Sequence, residues 1–155
     1  GLRSLGLGPK GVVVIDTPPG PSLYQQQALR AATFTLVVVH ADAASYATIA
    51  SMETILERYC NARPGFGGSA YLLNNVSSAS ALSRDVVRVV RSELGDRVIP
   101  VVVHQDESVK EAMAFDQPVL SYAPHGEATR DIKQVVRWFD QNLPAMHRIA
   151  DARGA

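Results

Sequence analysis

The chain has 155 residues, of which 46% are hydrophobic and 19% charged, and its 15 basic side chains balance 15 acidic ones. This composition excludes a disordered chain, and the neutral balance excludes an overall basic field of the kind that attracts nucleic acid or anionic membranes. The single cysteine, Cys60, excludes an internal disulfide and a multi-cysteine zinc site. The length suits one domain.

Short apolar runs alternate along the chain with longer segments of helical periodicity. In chain order they predict a strand at 12–15, a helix at about 22–33, a strand at 35–39, a helix at about 44–61, a strand at 70–73, a helix at about 80–94, a strand at 98–103, and helices at about 106–115 and 127–143, the last ended by Pro144. The runs lack polar alternation, as in strands buried on both faces. The alternation predicts an α/β three-layer sandwich with a mostly parallel sheet.

The most informative motif follows the first predicted strand, as Asp16-Thr17-Pro18-Pro19-Gly20. An aspartate at the carboxyl end of such a strand can orient a water on Mg²⁺, and a glycine lets backbone N–H approach a terminal phosphate. A lone aspartate here would more often cap a turn. The complete string is far more restrictive and favours the metal role.

This motif resembles the Walker B and switch II segment of the ParA/MinD-type (deviant Walker A) P-loop ATPases. Within that superfamily the chain most resembles the cellulose-biosynthesis branch, BcsQ. The segments that carry the narrower resemblance are 16–22, 41–48, 72–75, 82–86 and 99–104. The resemblance implies a P-loop NTPase-like fold over about residues 10–143.

The resemblance also implies roles for individual residues. Asp16 would hold Mg²⁺ through water, Gly20 would sense the terminal phosphate, and Thr17, Pro18 and Pro19 would complete that binding segment. Asn74 would read the adenine edge, since a side-chain amide offers both a donor and an acceptor. From the residue alone, an asparagine that satisfies backbone groups at a strand end is an equal alternative.

The loop after the fourth predicted strand holds two further cofactor-binding candidates, His104 and Asp106. His104 stands where relatives often have a proline, and a histidine there could stack on the base. Asp106 precedes Glu107 and Ser108 at the start of a helical run, so an N-cap is the favoured interpretation of this residue.

The phosphate-binding loop of the family, Lys-Gly-Gly-x-Gly-Lys-Thr/Ser, is absent from the printed sequence. The glycines at 6–11 fit G-x-G-x-x-G, but they precede their strand, which is the wrong order for a dinucleotide-binding turn. We therefore expect residues 1–155 to be the C-terminal part of a single ParA/MinD-like domain, completed by about a hundred upstream residues. Without them the sheet would keep unpaired apolar edges and be poorly stable.

Two functional hypotheses follow. The resemblance implies an ATP- and Mg²⁺-dependent homodimerising switch that is cytoplasmic, peripheral to an inner-membrane cellulose secretion complex, and associated with the synthase and accessory Bcs proteins. The alternative is a non-catalytic interaction module that keeps the fold without hydrolysing nucleotide.

Nucleic acid is disfavoured as a partner, because acidic residues accompany the basic face formed by Arg84, Arg88 and Arg91. Membrane association would be indirect, since the apolar stripe of helix 127–143 is expected to cover the sheet.

Overall fold

The computed structural model describes residues 11–18, 20 and 22–154, and among these the side chains of all but 144 and 147–154. Three strands alternate with seven α-helices in the described residues. They are α1 (Leu23–Ala31), β1 (Thr35–His40), α2 (Ala43–Ala47), α3 (Ile49–Leu56), β2 (Ser69–Val76), α4 (Ala81–Leu94), β3 (Val98–His104), α5 (Glu107–Ala114), α6 (Val119–Tyr122) and α7 (Glu127–Gly154).

The three strands form one parallel sheet in the order β1-β2-β3. β1 and β2 pair without interruption, from Thr35 opposite Ser69 to His40 opposite Asn74. The register between β2 and β3 shifts twice and ends with Val76 opposite His104. Parallel strands need crossover helices, which α2 and α3 supply before β2 and α4 supplies before β3. The predicted α/β architecture is confirmed.

Alternate residues of β2 face two different cores. Tyr71 and Leu73, both 0% exposed, join Val86 and Val90 of α4 in one buried cluster. Leu72 faces the other way, into a cluster that residues of α7 cover. Because side chains of a strand alternate between the faces of its sheet, helices lie on both sides. α7 covers the sheet as expected.

The predicted strand at 12–15 is wrong for the described structure. Residues 11–18 adopt no regular structure, and the four side chains from Val12 to Ile15 are between 41% and 87% exposed. A strand requires a neighbour that accepts and donates its backbone hydrogen bonds. Within the described residues β1 is an end strand paired only with β2, so the apolar run has no ladder to join.

The prediction that Pro144 ends the last helix is also wrong, since α7 continues to Gly154. The helix passes very close to another part of the backbone beyond the proline. A Cβ atom on Gly67 would lie 2.5 Å from the carbonyl oxygen of Met146. Only a residue without a side chain fits at position 67 against this part of the helix.

The remaining helix predictions differ from the structure in detail. The single helix predicted at 44–61 is divided into α2, α3 and a π-helical turn at Glu57–Asn61. The break falls at Thr48, whose hydroxyl donates to the carbonyl of Ser45. Such local side-chain bonds compete with the regular helix ladder. The four-residue α6 was not predicted, because it is too short for a periodic pattern.

Within the described residues, no helix combines the length and apolar character needed to cross a membrane.

Candidate functional site

The carboxyl ends of the three strands lie along one edge of the sheet. His40 is opposite Asn74 on β1 and β2, and Val76 of β2 is opposite His104 of β3. In open parallel sheets, ligands bind in crevices beyond these carboxyl ends. The structure therefore brings the predicted residues Asn74, His104 and Asp106 to the same edge.

Asn74 is held by its backbone and keeps its side chain available. Its carbonyl accepts a hydrogen bond of 3.0 Å from the backbone N–H of Ala41. The side-chain amide is half-buried and forms no hydrogen bond with any residue that the structure describes. Among the described residues, the Asn74 amide therefore does not play the alternative role of satisfying backbone groups at the strand end. The next residue, Asn75, has a left-handed backbone with φ 56°.

His104 is joined to α7 by a buried carboxylate. Oδ2 of Asp131 accepts the His104 backbone N–H at 2.9 Å and lies 2.8 Å from ring atom Nδ1. The whole residue Asp131 is only 8% exposed, so the carboxylate lies at the inner side of the edge. A second carboxylate oxygen, from Glu127, is 3.8 Å from the same ring nitrogen. One aspartate therefore fixes both the strand end and the ring orientation.

Asp106 caps two helices at once. Oδ1 accepts the N–H of Ser108 at 2.9 Å at the start of α5, and Oδ2 accepts the N–H of Ala128 at 3.0 Å in the first turn of α7. The Ala128 N–H, followed by the contacts with Ser108, holds the pKa of Asp106 below its ordinary value, because donors stabilise the charged form. The predicted N-cap is confirmed, and any contact of Asp106 with a cofactor stays a prediction.

The described residues of the motif at 16–20 take no part in these contacts. Asp16 and Pro18 are exposed, Thr17 is half-buried, and Pro19 lies outside the described residues. Gly20 has φ +88°, and a Cβ at this position would meet nothing within 4 Å. No hydrogen bond or ion pair links the described part of this motif to Asn74, His104 or Asp106.

The residues present fit a nucleotide and Mg²⁺ in part. Among the described residues, the Asp16 carboxylate has no hydrogen-bond or ion-pair partner, so its oxygens are free to hold a water on a metal ion. The left-handed, unobstructed Gly20 suits a backbone that approaches a phosphate. The described residues contain no group of three or more His, Cys, Asp or Glu placed to hold a metal directly.

Sequence reasoning did not identify Asp131 or Glu127 as members of this edge. Both belong to the helix predicted at 127–143, and their spacing of four residues puts them on one face of it. The available signal was therefore a pair of carboxylates in the first turns of a helix. Nothing in the sequence indicates that this face of the helix contacts the end of β3.

Comparison with known proteins places these features in a family. The family model described as "Cellulose biosynthesis protein BcsQ" matches residues 8–139. The BcsQ of Salmonella typhi is 26% identical over 127 residues, which cover 81% of this chain and 46% of that protein. The BcsQ of Escherichia coli K12 is 25% identical over the same length, which covers 46% of that protein.

A chromosome partitioning protein is also similar. ParA of Caulobacter vibrioides is 28% identical over 116 residues, covering 74% of this chain and 43% of that protein. The chain thus spans somewhat less than half the length of these relatives. The resemblance to the ParA/MinD ATPases is confirmed, and because the family match includes the motif at 16–20 and all three strands, the chain belongs to the BcsQ family of cellulose biosynthesis proteins.

Proposed function

We propose that this chain forms the metal-binding and base-reading half of an ATP-dependent dimerisation switch that acts in cellulose biosynthesis. The phosphate-binding lysines of the switch would come from sequence outside these 155 residues. The proposal is supported by the family match and by the ParA-like relative. It includes a cytoplasmic location beside the membrane-bound synthase complex, with the synthase and accessory Bcs proteins as partners.

One observation carries the proposal. The side chains of Asp16 and Asn74, to which the resemblance assigns ligand contacts, make no hydrogen bond within the described part of the chain. Asp106, by contrast, uses both carboxylate oxygens to cap helices. Polar groups that the fold does not use remain available for a ligand.

Each residue would make its own contribution. Asp16 would hold a water of the metal, and Gly20 would bring its backbone N–H to the terminal phosphate. Asn74 would exchange hydrogen bonds with the base edge. Bound Mg²⁺ would supply neutralisation of phosphate charge. Ligand contacts would fix the conformation of the motif at 16–20, a dimer would form across the nucleotide, and hydrolysis would release it.

The decisive variant is Asp16→Ala in the whole natural gene product. We expect it to abolish dimerisation with Mg-ATP, measured by sedimentation velocity, because the water-held metal would lose its carboxylate. Asp96→Ala is the matched control, since Asp96 is an exposed aspartate on the turn before β3, and it should dimerise normally. Normal ATP-dependent dimerisation of Asp16→Ala would show that the metal role is wrong.

The non-catalytic interaction module is the second candidate, favoured by Asp106, a predicted ligand residue whose two carboxylate oxygens both cap helices. Calorimetric titration of the whole natural gene product with Mg-ATP separates the two. Heat released on binding of Mg-ATP supports the ATP-dependent switch. A titration without heat supports the interaction module, and in that case Asp16→Ala should leave the affinity for partner proteins unchanged.

A further inference from the structure

The contact between His104 and Asp131 determines which ring nitrogen of the histidine carries hydrogen. An ionised carboxylate can only accept hydrogen bonds, so Nδ1, 2.8 Å from Oδ2 of Asp131, must be the protonated nitrogen. The Glu127 carboxylate oxygen, 3.8 Å from the same atom, favours the same arrangement. In a neutral imidazole the other nitrogen, Nε2, then carries a lone pair and acts as an acceptor.

That lone pair is available to a ligand. The structure gives Nε2 no hydrogen bond with any described residue. The His104 side chain is 29% exposed, whereas that of Asp131 is 11% exposed. The carboxylate therefore engages the inner side of the ring and leaves the remaining nitrogen without a described partner.

The His104 ring and the Asn74 side chain belong to neighbouring parallel strands. Asn74 lies two residues before the end of β2, and His104 is the last residue of β3, opposite Val76. One side chain offers a donor and an acceptor, and the other offers an acceptor alone. Both side chains belong to the carboxyl-end edge of the sheet.

We propose that Asp131 is a positioning residue that holds His104 as a hydrogen-bond acceptor for the exocyclic amine of an adenine base. This inference rests on the proposed function, and it specifies how the base is selected. Hypoxanthine and guanine carry a carbonyl oxygen where adenine carries its amine, so their lone pairs would face that of Nε2. The edge would therefore prefer 6-aminopurine to 6-oxopurine nucleotides.

The first test needs no nucleotide. Nitrogen-15 NMR of the histidine rings in the whole natural gene product, at about pH 8.5 where an ordinary histidine is neutral, reports the tautomer. The His104 signals are identified by their loss in His104→Phe. We expect protonated Nδ1 in the wild type, and an increased share of protonated Nε2 in Asp131→Asn, whose amide can donate to Nδ1. Protonated Nε2 in the wild type would overturn the proposal.

The second test measures selectivity by calorimetry with Mg-ATP and Mg-ITP, which differ at the 6-position of the base. We expect the wild type to bind ATP about tenfold more tightly, the ratio typical of one well-placed hydrogen bond. His104→Phe keeps an aromatic ring without the acceptor, and we expect its ratio to fall about three- to tenfold. Asp131→Asn should lower the ratio in the same direction, whereas the exposed His125→Phe should keep it.

The outcomes distinguish the selection role of His104 from the proposed switch. If the wild type binds ATP and all variants keep the same ATP-to-ITP ratio, the selection role of His104 is wrong while the proposed switch stands. If the wild type binds neither nucleotide, the proposed function fails and the selection role fails with it.

Discussion

Two apolar runs of similar composition differ in structure and burial, since one forms a buried strand and the other is exposed. Residues 98–103 form most of β3, with Ile99 at 1% exposure, whereas Val14 in the run at 12–15 is 87% exposed and belongs to no strand. The difference lies in their surroundings. β3 has β2 beside it and α7 against it, while the earlier run has no strand partner among the described residues. An apolar run indicates what can be buried, but its neighbours decide whether it is.

The largest expected contrast comes from the same substitution in both runs. Ile99→Ala should lower the free energy of unfolding by about 2–5 kcal/mol, since it leaves a cavity under α7. Ile15→Ala, at a residue 41% exposed, should cost less than about 1 kcal/mol. Urea denaturation of the 155-residue chain, with an osmolyte added to offset its expected low stability, measures both losses. Equal losses would show that residues 12–15 pack as firmly as β3.

An intermediate loss of stability is expected when the Asp106 caps that follow β3 are removed. Asp106→Ala removes the acceptor for one N–H of α5 and one of α7, and we expect a loss of about 2 kcal/mol in the free energy of unfolding. Asp42→Ala is the comparison at the end of β1, because Asp42 caps only α2, through the N–H of Ser45. Asp42→Ala should lower the free energy of unfolding by less than Asp106→Ala does. A larger loss for Asp42→Ala would show that capping two helices does not make Asp106 the more stabilising residue.

The smallest expected effect is a pH dependence. Because the folded-state pKa of Asp106 is lowered, its ionised carboxylate contributes stability that is fully present above the unfolded value of about 3.9. This contribution is lost as the pH falls through the folded value. Asp106→Asn cannot titrate there, so its free energy of unfolding should fall less than that of the wild type between about pH 5 and pH 2.5. Urea midpoints across that range measure the difference, and parallel curves would argue against a lowered pKa.

The sequence was sufficient for local features whose cause is local. The helix predicted from about residue 80 begins there, and the Ser80 hydroxyl accepts the N–H of Ser83 at the start of α4. Asp106 was predicted to cap the next helix. Such bonds join residues two or three positions apart, so the sequence already contains both partners.

The sequence failed where the partner is distant. The contact of His104 with Asp131 joins residues 27 positions apart, and the second bond of Asp106, to Ala128, joins residues 22 apart. The continuation of α7 past Pro144 likewise accompanies a close approach to Gly67. In none of these contacts do the periodicity and spacing of the chain identify the distant partner.

By itself, then, the sequence determined the alternation of buried strands and helices, the caps, and a family resemblance carried by the motif at 16–20. Only the tertiary structure decided that the run at 12–15 lies outside the described sheet and that α7 supplies a carboxylate to the end of β3. The physical reason is that periodicity and capping are properties of neighbouring residues. Strand pairing and ring orientation depend on groups that only the folded chain brings within hydrogen-bond distance.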